Sequence, residues 1–382
     1  MKTMIKTAAI GLALTGAVIS GCKKIDDFVN KGFDAELFRK NLKAACDGKT
    51  VGYSFAISQN GKIVKYDFGG EARNPKDGEV DYEILTRQGT GSCSKTITAF
   101  AILQALEDKG QNEKARLVDL LPAWWNIPEE NNPLTVALLL QHYAGLQHVG
   151  DGDYQAIRAT MQQPTTGYGK AAYVYRNGNY SICRVLLYCI VNGTKGLEGL
   201  SDAAADEVVS QFHRTYVREK IFKKAGIPDW SKINVGPWNE SGTITPKNMD
   251  RRMTLYYNFK QPGLSGITTY TTYLEAGPGG WYMNSPEMAA VLAAGEEGKL
   301  VSDTMMKKMK EDFMGYDRTI TGKHGAYYYK NGVWADSLTR GVYTVVMHFP
   351  NNVQVAWHSN ARNTNLGSPE ALIKNAYDDA WR

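Results

Sequence analysis

Residues 89–108 read GTGSCSKTITAFAILQALED. A glycine-rich entry, a serine pair and a lysine stand directly before residues 96–106, a strongly apolar run that reads as a helix, with Gly110 as its stop. Ser92 and Lys95 are three apart, so on a helix they share a face. A serine hydroxyl is a poor nucleophile until its proton is removed. A lysine amine one turn along removes it when desolvation lowers the pKa of that amine. The helix N-terminus adds positive potential and a free backbone N–H beside the serine. Alone the pattern is weak, because S-x-x-K is expected about once by chance in a chain of this length. Its ordinary alternative is a serine N-cap with a surface lysine, so the surrounding sequence has to decide.

Two companion segments follow. Tyr175-Arg176-Asn177 reads as a loop in which the tyrosine and the asparagine point into one cleft. A phenol held near two ammonium groups can act as a base, and the asparagine amide can hold a substrate carbonyl or the lysine. Arg176 is bulky there, and either narrows the cleft or favours an acidic substrate. Lys330-Asn331-Gly332 stands at the end of a strand read over residues 325–329. Lys330 offers positive charge to a substrate carboxylate or to the phenol. Gly332 is expected to let a substrate approach the strand backbone. The N–H of Val333 and that of Ser92 would form an oxyanion hole. Two rival registers exist, at Lys323-His324-Gly325 and at His324-Gly325-Ala326; the distance to the C-terminal hairpin favours Lys330.

The flanking pattern gives the architecture. Residues 34–46 show helical spacing through Leu37, Phe38, Leu42 and Ala45. Residues 51–58 and 62–68 read as strands joined by Asn60-Gly61, a strong hairpin signal. Residues 113–294 read as mostly helix and loop, with a Gly/Thr/Tyr-rich loop at 263–273. Strands return at 325–329, 341–349 and 353–358, the last two joined by Pro350-Asn351-Asn352, and residues 371–382 close as a helix. The expectation is an α/β (α+β) fold. An antiparallel sheet is built from both chain ends and flanked by helices, and it carries a large, mostly helical insert.

The N-terminus reads as a targeting segment. Lys2 and Lys6 precede an apolar stretch at 7–20, too short for an ordinary membrane span, which ends in Ile19-Ser20-Gly21-Cys22. That ending resembles the lipobox of bacterial lipoproteins. The expectation is a signal peptide over 1–21, a tether over 22–33 lipidated at Cys22, and one catalytic domain over 34–382. The chain would then be held on a bacterial membrane, facing the periplasm or the surface. The formal charge of +5 is scattered and forms no basic stripe, so no nucleic-acid partner is indicated. The spacings of Cys46, Cys93, Cys183 and Cys189 imply no disulfide framework, and buried free thiols are expected. The six histidines show no metal spacing, and no cofactor is expected. His142 reads as a packed, structural residue. Gly89-Thr90-Gly91-Ser92 lacks the ending of a phosphate loop. Ser201 in Gly199-Leu200-Ser201-Asp202-Ala203 reads as a helix N-cap rather than a nucleophile elbow.

Taken together, S-x-S-K-T, Y-x-N and K-x-G in this order resemble the class C β-lactamases, the D-Ala-D-Ala peptidases and the serine esterases of that fold. Residues 134–146 (LTVALLLQHYAGL), 175–187, 216–227 and 279–288 are similar to further segments of the same superfamily. The resemblance implies that Ser92 is acylated and that Lys95 and Tyr175 share base and acid duties, in an order left open. It further implies that Asn177 and Lys330 contact substrate. The substrate class would be a β-lactam, a D-Ala peptide derived from peptidoglycan, or a small ester. Asn331 departs from the family's hydroxyl residue. That departure also admits a catalytically weak relative that binds cell-wall fragments or a protein partner.

Overall fold

The computed structural model describes residues 32–150, 152–236, 253–268 and 273–382. The expected signal peptide, Cys22 and most of the expected tether lie outside them. The chain orders as α1 (Ala35–Cys46), β1 (Gly52–Gln59), β2 (Lys62–Arg73), β3 (Val80–Asp81), β4 (Gln88–Gly89), α2 (Ser94–Asp108), α3 (Leu117–Leu120), α4 (Val136–Leu140) and α5 (Tyr154–Met161). Next come α6 (Asn177–Asn192), α7 (Asp202–Tyr216), β5 (Asn234–Val235), β6 (Trp281–Met283), α8 (Ser285–Glu296) and α9 (Asp303–Glu311). β7 (Arg318–Gly322), β8 (Gly325–Ala335), β9 (Gly341–Phe349), β10 (Val353–Ser359) and α10 (Pro369–Asp378) complete it.

Seven strands form one antiparallel sheet in the order β3-β2-β1-β10-β9-β8-β7. The two chain ends meet at its centre, where Tyr53 pairs with Ser359 and Gln59 with Val353. Both tight hairpins are fixed by left-handed residues: Asn60 (φ 51°) and Gly61 (φ 75°) in one, Asn351 (φ 60°) and Asn352 (φ 51°) in the other. Positive φ at both central positions matches the strands' right-handed twist, and Asn and Gly adopt it at least cost.

Alternation along the strands sorts the two faces. Phe55, Ile57, Val345, Met347, Val355 and Trp357 pack outward against Phe38 and Leu42 of α1 and Ile373 and Tyr377 of α10. Ala56, Val346 and Ala356 face the other way, into the large core that includes α2, α6 and α8. Every residue of α2 from Ser94 to Leu106 is buried. A helix without a solvent face is a central one, and α2 is the pillar on which the site stands.

The expected sheet from both chain ends, flanked by helices, is the observed fold. Five details differ. The insert holds a second small sheet, β4-β6-β5, whose two- and three-residue strands are too short to show a period of two. β7 went unread because Arg-Thr-Ile-Thr-Gly is a largely polar edge strand. β8 continues to Ala335, so Lys330-Asn331-Gly332 lies within the strand and pairs Lys330 with Val346 and Gly332 with Thr344. Pairing with β9 overrides the low strand propensity of Asn and Gly. The last helix ends at Asp378. Finally, Trp381 then bridges back to Phe33, so the fold already includes the last residue assigned to the tether. The four cysteines described are buried free thiols, and Ser201 caps α7 by accepting from Ala204 N–H.

Candidate active site

The site begins where the chain leaves β4. A single 3-10 turn, Gly91–Cys93, feeds α2 and sets Ser92 at its mouth. Gly91 sits at φ 51°, which favours glycine. The turn lies directly on β8. A Cβ on Gly332 would stand 2.1 Å from Thr90 O and 2.9 Å from Ser92 N. Sequence reasoning reserved that space for substrate; it is filled by the serine's own turn. Gly332 therefore serves to dock the strand against the turn that carries Ser92. Val333, the next residue, lines the same cavity as Ser92, and a Cβ on Gly91 would stand 3.0 Å from Val333 N, so that amide lies against the turn that carries Ser92.

Lys95 is fully buried, one turn into α2. Its Nζ stands 3.0 Å from Ser92 Oγ and donates to Asn177 Oδ1 (2.8 Å) and Pro278 O (2.7 Å). The Pro278 carbonyl is aimed there by a tight turn in which Gly279 and Gly280 N–H both donate to Glu275 O. Burial lowers the pKa of Lys95 well below its usual value, and the nearby charge of Lys330 adds to the effect. The neutral amine has two N–H groups and one lone pair. Asn177 Oδ1 and Pro278 O can only accept. In that neutral form these two acceptors would commit both N–H groups and leave the lone pair for the serine hydroxyl.

Tyr175 Oη donates to Ser92 Oγ at 2.7 Å. Its ring lies 5.1 Å from Lys95 Nζ and 4.9 Å from Lys330 Nζ. Its other support is His142, whose ring centroid is 4.4 Å away. His142 Nδ1 accepts from Asn179 Nδ2 (3.0 Å) and from Arg176 N–H (3.3 Å). Burial, then Lys95 and Lys330, push its pKa down to about 2, so the ring is neutral. The histidine is packed, as the sequence suggested, and it also holds the segment carrying Tyr175. Asn177 is the first residue of α6 rather than part of a loop. The preceding residues are extended, and the tyrosine reaches the cleft from there while the asparagine reaches it from the helix start.

Lys330 is buried, with Nζ 2.6 Å from Asp317 Oδ1 and 3.4 Å from Tyr175 Oη. Burial opposes its charge, but Asp317 outweighs that and raises the pKa. Of the rival positions, Lys323 pairs with Asp379 at the surface and His324 stacks on Trp381 at 4.0 Å, so Lys330 is the lysine at the site. Asn331 points away and donates to Glu370 Oε1 at 2.7 Å. Arg176 is exposed.

Ser92 and Asn177 open onto a cavity of about 360 Å³ that is also lined by Glu275, Tyr256, Val333 and Trp334, among others. Asp317, Glu275, Pro278 and the contact from His142 to Tyr175 were not foreseen. Asp317 pairs with Lys330 only because β7 folds back on β8, a strand the sequence did not reveal. Pro278 acts through a backbone oxygen, which leaves no trace in residue type.

The fold has many solved counterparts. FmtA from Staphylococcus aureus aligns over 94% of this chain and 95% of that one, at 19% identity and TM-score 0.64. D-amino acid amidase from Ochrobactrum anthropi SV3, complexed with L-phenylalanine, aligns over 90% and 98%, at 14% identity and TM-score 0.63. The octameric penicillin-binding protein homologue from Pyrococcus abyssi aligns over 93% of this chain and 76% of that one, at 16% identity and TM-score 0.61. No curated protein matches the sequence. At these identities the structural likeness establishes the fold, while the sequence profile of the Beta-lactamase family matches residues 35–366. A serine-lysine pair at the mouth of a buried helix, on a sheet closed by both chain ends, is thus the work of a chain that belongs to the Beta-lactamase family.

Proposed function

We propose that this chain is an exported, lipid-anchored serine hydrolase that acts through an acyl-enzyme on Ser92. Its substrates would be a β-lactam, a D-Ala peptide or a small ester. The observation that carries the reading is the set of three contacts around Lys95 Nζ, which in the neutral amine would leave a lone pair for Ser92 Oγ. Lys95 takes the serine proton as Oγ attacks the substrate carbonyl carbon. The oxyanion forms against the N–H groups of Ser92 and Val333. Tyr175, already donating to Ser92 Oγ, gives a proton to the leaving group and is resupplied from the Lys95 ammonium. Asn177 holds Lys95 through Oδ1 and offers its amide N–H groups to a substrate carbonyl. Water then cleaves the ester and the serine regains its proton. The charge of Lys330 steadies the developing negative charge on the phenol.

Labelling with a fluorescent fluorophosphonate tests the chemistry. The wild type is expected to form one adduct at Ser92, and Ser92→Ala none. An equal signal from both, or none from either, would leave a binding module for cell-wall fragments as the better account. Export and anchoring rest on residues 1–22. Radiolabelled palmitate is expected to mark the wild type and not Cys22→Ser, with both followed by membrane fractionation.

A further inference from the structure

We infer that Glu275 and the aromatic wall of the Ser92 cavity form a subsite for an ammonium group, so that preferred substrates carry a positively charged amine. The inference rests on the serine-hydrolase reading and names a substrate class for that same site.

Glu275 is the one charged side chain among the described residues lining the cavity. A Cβ on Gly279 would lie 3.7 Å from Glu275 Oε2 and 3.8 Å from the Gly91 carbonyl carbon. The carboxyl thus stands one residue's width from the turn that carries the nucleophile. The remaining wall includes the rings of Tyr256, Tyr282 and Trp334. The two tyrosine hydroxyls are 2.7 Å apart, and Gly89 N–H donates to Tyr256 Oη at 3.0 Å, so those rings are pinned. Aromatic faces attract cations, the more so away from water.

The cations that would receive an anionic substrate are already committed. Lys330 is paired with Asp317 at 2.6 Å, and Arg184, behind the site, with Asp206 at 2.8 Å. Lys95 donates to Asn177 Oδ1 and Pro278 O, and burial disfavours its charge. Asn331, at the position where the superfamily resemblance places a carboxylate contact, bonds Glu370 instead. Arg176 is exposed and lines an adjoining cavity that Asn177 and Glu275 also border, so it stands outside the Ser92 cavity although Glu275 reaches both. Burial raises the pKa of Glu275, with Lys95 and Arg184 opposing. A carboxylate so placed gains from an incoming cation, and amine binding should tighten as pH rises through its titration.

The test compares alanine p-nitroanilide with its N-acetyl form, in both enantiomers. The readout is the ratio of kcat/KM for free amine over N-acetyl, which cancels any uniform loss in a variant. The wild type is expected to give a ratio of roughly ten to a hundred, Glu275→Asp an intermediate one, and Glu275→Gln a ratio near one. A wild-type ratio near or below one, or one unchanged in Glu275→Gln, overturns the subsite. Failure of the hydrolase reading looks different: no Ser92-dependent fluorophosphonate adduct and no turnover of either compound. In that case calorimetry with phenethylamine and 2-phenylethanol still decides. Tighter binding of the amine, lost in Glu275→Gln, supports the subsite; equal binding of the two overturns it.

Discussion

Replacing Lys95 by methionine tests the assignment of the base through stability rather than activity. In the unfolded chain a lysine titrates near its ordinary value of about 10.4. In the fold, burial and Lys330 hold Lys95 well below that. Between the folded and unfolded values the unfolded chain binds one more proton than the native one. The slope of unfolding free energy with pH is then positive, at about 1.4 kcal/mol per unit. Stability from this group is therefore gained as pH rises toward the unfolded value and lost as pH falls. Lys95→Met deletes the titration. It also leaves Asn177 Oδ1 and Pro278 O without their donor, a penalty of about 1–3 kcal/mol each that does not change with pH. The absolute stability difference is thus uninformative and its slope is decisive. Urea unfolding, followed by tryptophan fluorescence at pH 8.0 and 9.5, is expected to show the wild type gaining about 2 kcal/mol over Lys95→Met across that interval. A flat difference would mean that the folded lysine keeps its proton, and Lys95 could not be the base in the resting enzyme.

Asp317→Asn strands the buried Lys330 ammonium and should lower stability by about 3–5 kcal/mol. Asp317→Asn with Lys330→Met should lose clearly less than the two single losses added, as read by urea unfolding; strict additivity would deny the pair. Gly332→Ala sets a Cβ 2.1 Å from the Thr90 carbonyl oxygen, a backbone atom that cannot swing aside. Its expected cost is about 3 kcal/mol or more, with fluorophosphonate acylation slowed in parallel; an unchanged melting curve and labelling rate would contradict the strand-to-turn contact.

The parts of this molecule legible in the sequence are those with local causes. Asn60-Gly61 and Asn351-Asn352 encode their hairpins in two residues each, and the spacing of Leu37, Phe38 and Leu42 encodes α1. The spacing of Ser92 and Lys95 needs only a helix to bring them together. The unread features depend on partners distant in the chain. Lys330-Asn331-Gly332 has the composition of a turn and becomes strand because β9 pairs with it. Gly332 suggests open space for a ligand until the Gly91–Cys93 turn is found filling it. Asp317 carries no signal of its own, since a carboxylate before an unread edge strand is indistinguishable from a surface residue.

The site's chemistry then comes from the different company given to two buried lysines. Lys95 has no carboxylate within hydrogen-bond range among the described residues; two carbonyl-type oxygens bind its N–H groups and burial lowers its pKa. Lys330 is equally buried but is given Asp317, which keeps it an ammonium. Environments that drive like groups apart in pKa support the proposed roles, Lys95 as base and Lys330 as electrostatic support. Tyr175 lies between them, its ring about 5 Å from each Nζ and its hydroxyl on Ser92. A lysine pair treated alike would fail in either direction: two ammonium groups would leave no base, and two amines no charge to stabilise a phenolate. Asp317 distinguishes them, so in the proposed mechanism a residue without any signal in the sequence would set the direction in which the serine proton moves.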